Sequence, residues 1–101
     1  LNGRIPTHPG AVLREDVLPN LKGITKGEFA KMLGVSRQTL YLLLAERTGV
    51  SAEAALRLGT LLGNGAQHWL DMQSQFDLWQ AKTKLGDELN KMKPLNYVAK
   101  G

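Results

Sequence analysis

The residues with the clearest chemistry stand close together: Ser36, Arg37, Gln38 and Thr39, with Lys26 a short way ahead of them. An arginine guanidinium can donate two hydrogen bonds to a guanine edge, and a glutamine amide can pair in two places with adenine. The short hydroxyls of Ser36 and Thr39 suit phosphate or base contact. Lys26 opens a segment of helical pattern, where free backbone amides and the positive dipole end also favour a phosphate. A second reading stands beside this one. A polar helix start after serine is common in any helical bundle, and there Arg37, Gln38 and Thr39 would merely face water.

Two short helices must position these residues. Phe29, Ala30 and Leu33 fall on one helical face, so the first is expected from about Lys26 to Leu33. Thr25 has an oxygen suited to capping its first turn, and Gly34 follows where a left-handed backbone closes a helix at least cost. Val35 is expected to point inward from the turn. Ser36 is the next N-cap, and the second helix should run from Arg37 to about Glu46. Helix, glycine-containing turn and polar-starting helix make the helix-turn-helix pattern, whose second helix places its N-terminal residues against base edges in the major groove.

The whole chain allows this and excludes much else. Its 101 residues fit one small domain, and 43% hydrophobic content suffices for a core without metal or disulfide. The absence of cysteine removes a disulfide framework, a Cys-ligated zinc site and thiol catalysis. No apolar run approaches the roughly 20 residues that span a bilayer. LNGRIPTHPG lacks the apolar core of a secretory signal, and a first residue other than Met predicts that the true start differs from Leu1. A cytoplasmic protein is expected. Most of the net charge of +4 falls in residues 1–50, with seven Lys/Arg against four Asp/Glu, a weak excess consistent with phosphate contact. His8 and His68 lack any HExxH or CxxC companion, Glu15/Asp16 and Asp87/Glu88 are sequence neighbours that do not face each other, and no GxGxxG or GxxxxGK[ST] loop is present. No enzyme, metal site or cofactor is expected.

The remaining segments divide as an irregular arm at 1–7, a helical domain at 8–85 with its central motif at 25–46, and a tail at 86–101. Pro9 suits a first helical position, with His8 as cap or packing residue. Val12, Leu13, Val17 and Leu18 should form the apolar face, while Arg14, Glu15 and Asp16 face water. Ser51 caps a helix over Ala52 to Leu62, in which Gly59 predicts a close helix crossing. A long helix follows from about Ala66 to Leu85. Its stripe of Trp69, Met72, Phe76 and Trp79 reads as core and subunit interface. Asp87 to Lys93 has the composition to extend this helix as far as Pro94. Leu95, Tyr97 and Val98 then alternate with polar residues, a faint extended pattern suited to a mobile tail or to pairing with another subunit.

HPGAVLREDVLP, TKGEFAKMLGVSRQTLYLLL, GVSAEAALRLGTLLG and HWLDMQSQFDLWQAK together resemble the HigA/VapI branch of the phage-repressor-type helix-turn-helix family. The likeness covers about His8 to Lys82. The HPGxxLRE opening and the segment carrying Trp69, Leu70, Gln73, Asp77, Leu78 and Trp79 are its most specific parts. The resemblance implies an all-α, five-helix, lambda-repressor-like domain with a short C-terminal extension. It also implies an antitoxin of a type II toxin–antitoxin pair: a homodimer that binds double-stranded operator DNA, represses its own operon, and neutralises a HigB-like, RelE-like mRNA-cleaving toxin. By position, Ser36, Arg37, Gln38 and Thr39 match the DNA-facing helix start, Lys26 matches a phosphate contact, and Tyr41 falls on the exposed side. Trp69, Phe76, Trp79, Leu95, Tyr97 and Val98 are the candidate dimer contacts. Three departures stand out. Gly27 is unusual early in a helix, Leu42 takes a place where relatives often have a polar base reader, and the loop Ala45 to Gly49 replaces a more usual Gly-Lys/Arg turn. A free-standing repressor and a helical protein-interaction module are the rival readings.

Overall fold

Pro9 opens the first helix because its missing amide proton would find no partner there, and the His8 ring caps the same turn by accepting from the Gly10 N–H at 2.9 Å. In this computed structural model the described residues are 5–97. The first helix, α1 (Pro9–Val12), passes directly into a π-helical turn (Leu13–Val17) and a 3-10 turn (Leu18–Asn20). Pro19 accounts for the change, since its nitrogen cannot donate and its ring would strike the carbonyl four residues back. The helices α2 (Lys26–Leu33), α3 (Arg37–Leu44), α4 (Ala52–Leu62) and α5 (Ala66–Leu85) follow, and Gly86–Lys91 forms a last 3-10 turn.

Local chemistry sets most of these ends. Thr25 and Glu28 form a reciprocal capping box at the start of α2, with distances of 3.1 and 2.8 Å. Gly34 closes that helix with φ at +82°, a conformation that a side chain resists. Ser51 caps α4 through the Ala54 N–H. Gly59 lies where α4 crosses the start of α5, and a β-carbon there would run into the backbone of Gly65 and Ala66. The close crossing expected from the sequence is present.

The π-helical turn, α2, α3, α4, α5 and the loop before α4 contribute to one core: Leu13, Phe29, Ala30, Leu33, Leu40, Leu43, Leu44, Val50, Ala55, Leu58 and Trp69. Burying each of the larger side chains stabilises the fold by about 1.5–3 kcal/mol. Trp69 has 0% of its surface exposed, and its indole N–H donates to Asn64 at 2.9 Å. Its expected place at the dimer contact is therefore corrected, since no surface remains for a second chain. The stripe divides instead: Trp69 is core, while Met72, Phe76 and Trp79 are half-buried. Beyond Trp79 every described residue is exposed, including Leu85, Leu89, Met92, Leu95 and Tyr97.

The tail departs from expectation. Gly86, at φ +57° and ψ −123°, breaks the α-helix, so Gly86–Lys91 continues only as a 3-10 turn. Leu95 and Tyr97 lie in irregular chain, and no strand occurs among the described residues; Val98 lies outside them.

Candidate nucleic-acid interface

The α3 helix carries the candidate reader, and the sequence builds it with separate faces. Leu40, Leu43 and Leu44 are buried and hold it to the core. Arg37, Gln38, Thr39, Tyr41 and Leu42 are exposed. Ser36 occupies the N-cap as expected: its Oγ accepts from the Thr39 N–H at 3.0 Å and its hydroxyl donates to the Thr39 Oγ1 at 2.8 Å. Its hydroxyl thus orders the helix start. The helix ends at Leu44, somewhat short of the expected Glu46.

Lys26 is exposed at the first position of α2, beside amides that the helix leaves without internal partners. The Arg37 guanidinium runs back to the same turn and lies against Gly27. The two candidate cations are therefore carried at the adjoining starts of α2 and α3. Glu28 sits in that turn too, and the backbone amide and then the hydroxyl of Thr25 hold its carboxyl below the ordinary value. Its charge is committed to the capping box.

Sequence reasoning missed what secures the far ends of both helices. Arg14, expected to face water, instead donates to the Leu44 carbonyl at 2.6 Å and to Glu46 at 3.1 Å. The carboxylates of Glu15 and then Glu46 raise its pKa. Glu46 takes the left-handed conformation, φ +61°, that a glycine usually supplies after a helix. Its N–H donates to Leu43 and that of Arg47 to Leu42, completing a Schellman closure. Arg57, on α4, does the same service for α2 by donating to the Leu33 carbonyl at 3.2 Å. The signal in the sequence was weak: an arginine in a helix names no partner.

Gln73 was picked out by the family pattern without a role. It is buried on α5, accepts from the Val50 N–H at 2.7 Å and donates to Asp77 at 2.9 Å. The loop from α3 to α4 is thereby held by Arg14 at one end and Gln73 at the other.

The remaining candidates do not converge on a reaction. His8 is engaged as a cap and meets Phe76 edge-on with ring centroids 4.9 Å apart, while His68 packs edge-on against Trp69. No cluster of His, Cys, Asp or Glu among the described residues could hold a metal ion. No helix among them is long and apolar enough to cross a membrane.

Residues 18–67 match the helix-turn-helix family model. Virulence-associated protein I of Dichelobacter nodosus is 40% identical over 75 residues, covering 74% of this chain and 68% of that protein. Antitoxin HigA-1 of Vibrio cholerae is 34% identical over 93 residues, covering 91% and 86%. Among solved structures, antitoxin GraA in complex with its operator superposes with a TM-score of 0.81 at 39% identity, covering 96% of this chain and 98% of that one.

Proposed function

The chain belongs to the HigA/VapI branch of the helix-turn-helix family, and we propose that it is an antitoxin that represses its own operon by reading an operator with α3. One observation carries the reading. Arg37, Gln38 and Tyr41 are exposed and make no side-chain hydrogen bond among the described residues, on a helix otherwise fastened at both ends. Side chains left with unused hydrogen-bonding groups on so fixed a support suit recognition by contact with another molecule. The GraA structure with its operator supports DNA as that molecule.

In this reading Arg37 and Gln38 contact base edges, and Thr39 and Tyr41 contact base or backbone. Lys26 contacts phosphate, and Ser36 supports the reader as its cap. Leu42 is exposed, with a side chain suited to a thymine methyl. A dimer would place two such helices in successive major grooves about 34 Å apart. Phe76, Trp79, Leu95 and Tyr97 are its candidate contacts, and the exposed apolar residues of the tail extend that surface. A monomer mass at micromolar concentration would remove the dimer. The second partner is a RelE-like mRNA-cleaving toxin, and rescue of cells expressing the neighbouring reading frame tests it. If that frame encodes no toxin, a free-standing repressor remains. Operator binding would place the protein in the cytoplasm, with 8–85 as the reading domain.

The deciding experiment is fluorescence anisotropy with the duplex directly upstream of the gene, beside a scrambled duplex, at two salt concentrations. We expect preference for the upstream duplex, and Arg37→Ala should cost about 1–3 kcal/mol of it. Lys26→Ala should weaken both duplexes alike and flatten the salt slope. Absence of binding to either duplex would leave the interaction-module reading.

A further inference from the structure

Gly27 stands second in α2, in the interior of a turn where glycine is disfavoured. Its backbone conformation does not require glycine, since it is not among the residues with positive φ. What the glycine provides is space for the end of Arg37. A β-carbon at Gly27 would lie 2.8 Å from Nε, 2.9 Å from Nη2 and 3.0 Å from Cζ of Arg37, closer than carbon approaches such atoms. The bare α-carbon thus leaves a seat for the guanidinium.

We propose that Gly27 is a positioning residue, which seats the Arg37 guanidinium against the first turn of α2 and fixes the direction of that fork before DNA arrives. The proposal rests on Arg37 as an operator contact. Arginine has several rotatable bonds, and freezing them on binding opposes affinity; a side chain already seated loses less. The seat also lies at the positive end of the α2 dipole, beside Lys26. Since Glu28 is committed to the capping box, the fork remains short of an acceptor there. A nucleic-acid phosphate or base edge supplies one. An alanine at 27 would leave the fold intact, because the atoms it strikes end a flexible side chain, and would evict the guanidinium.

The test is a double-mutant cycle on full-length protein. Gly27→Ala, Arg37→Ala and the double variant are titrated with the upstream duplex, alongside thermal unfolding. We expect Gly27→Ala to unfold no lower than wild type, since alanine is the better helix former, and yet to bind about tenfold more weakly. In the Arg37→Ala background the same change should alter affinity by less than about twofold. Wild-type affinity in Gly27→Ala, or an equal loss in both backgrounds, overturns the proposal. A DNA-free readout separates its failure from that of the operator reading. The heteronuclear NOE of the Arg37 side-chain Nε should report an ordered group in wild type and a mobile one in Gly27→Ala. Equal mobility in the two proteins overturns the seat, whatever the DNA result.

Discussion

Replacing Gln73 by methionine tests the account of how α5 holds the recognition loop. Methionine fills a similar volume and is flexible enough to occupy the space, so packing is largely kept. What it removes is the acceptor for the Val50 N–H, which lies 2.7 Å from the glutamine oxygen. Val50 is 4% exposed, so water does not readily replace that acceptor. An amide left buried without a partner costs about 1–3 kcal/mol. For a domain of this size each kcal/mol moves Tm by about 4–8 °C, so a fall on the order of 10 °C is expected. Thermal unfolding by far-ultraviolet circular dichroism measures it, and hydrogen exchange at Val50 should speed up beyond that of the core amides. Gln73→Glu separates acceptor from donor. Its carboxylate still accepts from Val50 but meets Asp77 as a like charge one turn away, so it should fall between wild type and methionine and recover part of its deficit in acid. An unchanged Tm with unchanged Val50 protection in Gln73→Met would refute the reasoning.

Other expectations follow from the helix ends. Thr25→Ala removes the α2 cap and should lower stability by about 1 kcal/mol in urea unfolding. Glu28 has a depressed folded-state pKa, so its contribution is present above the unfolded value near 4.5 and is lost as pH falls through the folded value. Glu28→Gln should therefore flatten the acid limb of the stability curve, as urea midpoints from pH 2 to 6 would reveal. Arg14→Met should leave the helical content in place while freeing Glu46 and the end of α3, seen as faster exchange at Glu46 and Arg47.

The sequence made the helices legible because their signals are local. Thr25, Ser36 and Ser51 each put an oxygen before a helical run, and Gly34 and Gly63 supply the left-handed ends. The inward faces could be read for the same reason, since Phe29, Ala30, Leu33, Leu40 and Leu43 recur at helical spacing. Roles that join residues far apart in the chain could not be read this way. Arg14 reaches Leu44 and Arg57 reaches Leu33, each across an intervening helix. Trp69 and Trp79 share a stripe, yet one is core and the other half-buried, because α5 leaves the body of the domain partway along its length. Periodicity gives a face; it does not give the point at which the neighbours of that face end.

The pattern of these long connections bears on what the reading helix is for. The carbonyl ends of α2 and α3 are each closed by an arginine from another helix, Arg57 from α4 and Arg14 from the first helical segment. Their amide ends are closed by their own caps, Thr25 and Ser36. The loop beyond α3 is held again by Gln73 of α5. Positively charged side chains at carbonyl ends also oppose the local negative pole of each helix dipole. The motif is thus fastened at its ends and along its buried face, and none of these fastenings draws on Arg37, Gln38 or Tyr41. Stability and recognition are assigned to different residues, with Ser36 and Thr39 at the boundary between them. Substitutions at Gln38 or Tyr41 can therefore change which sequence is read without loosening the support, whereas a change at Arg14, Arg57 or Gln73 loosens the support for every sequence alike.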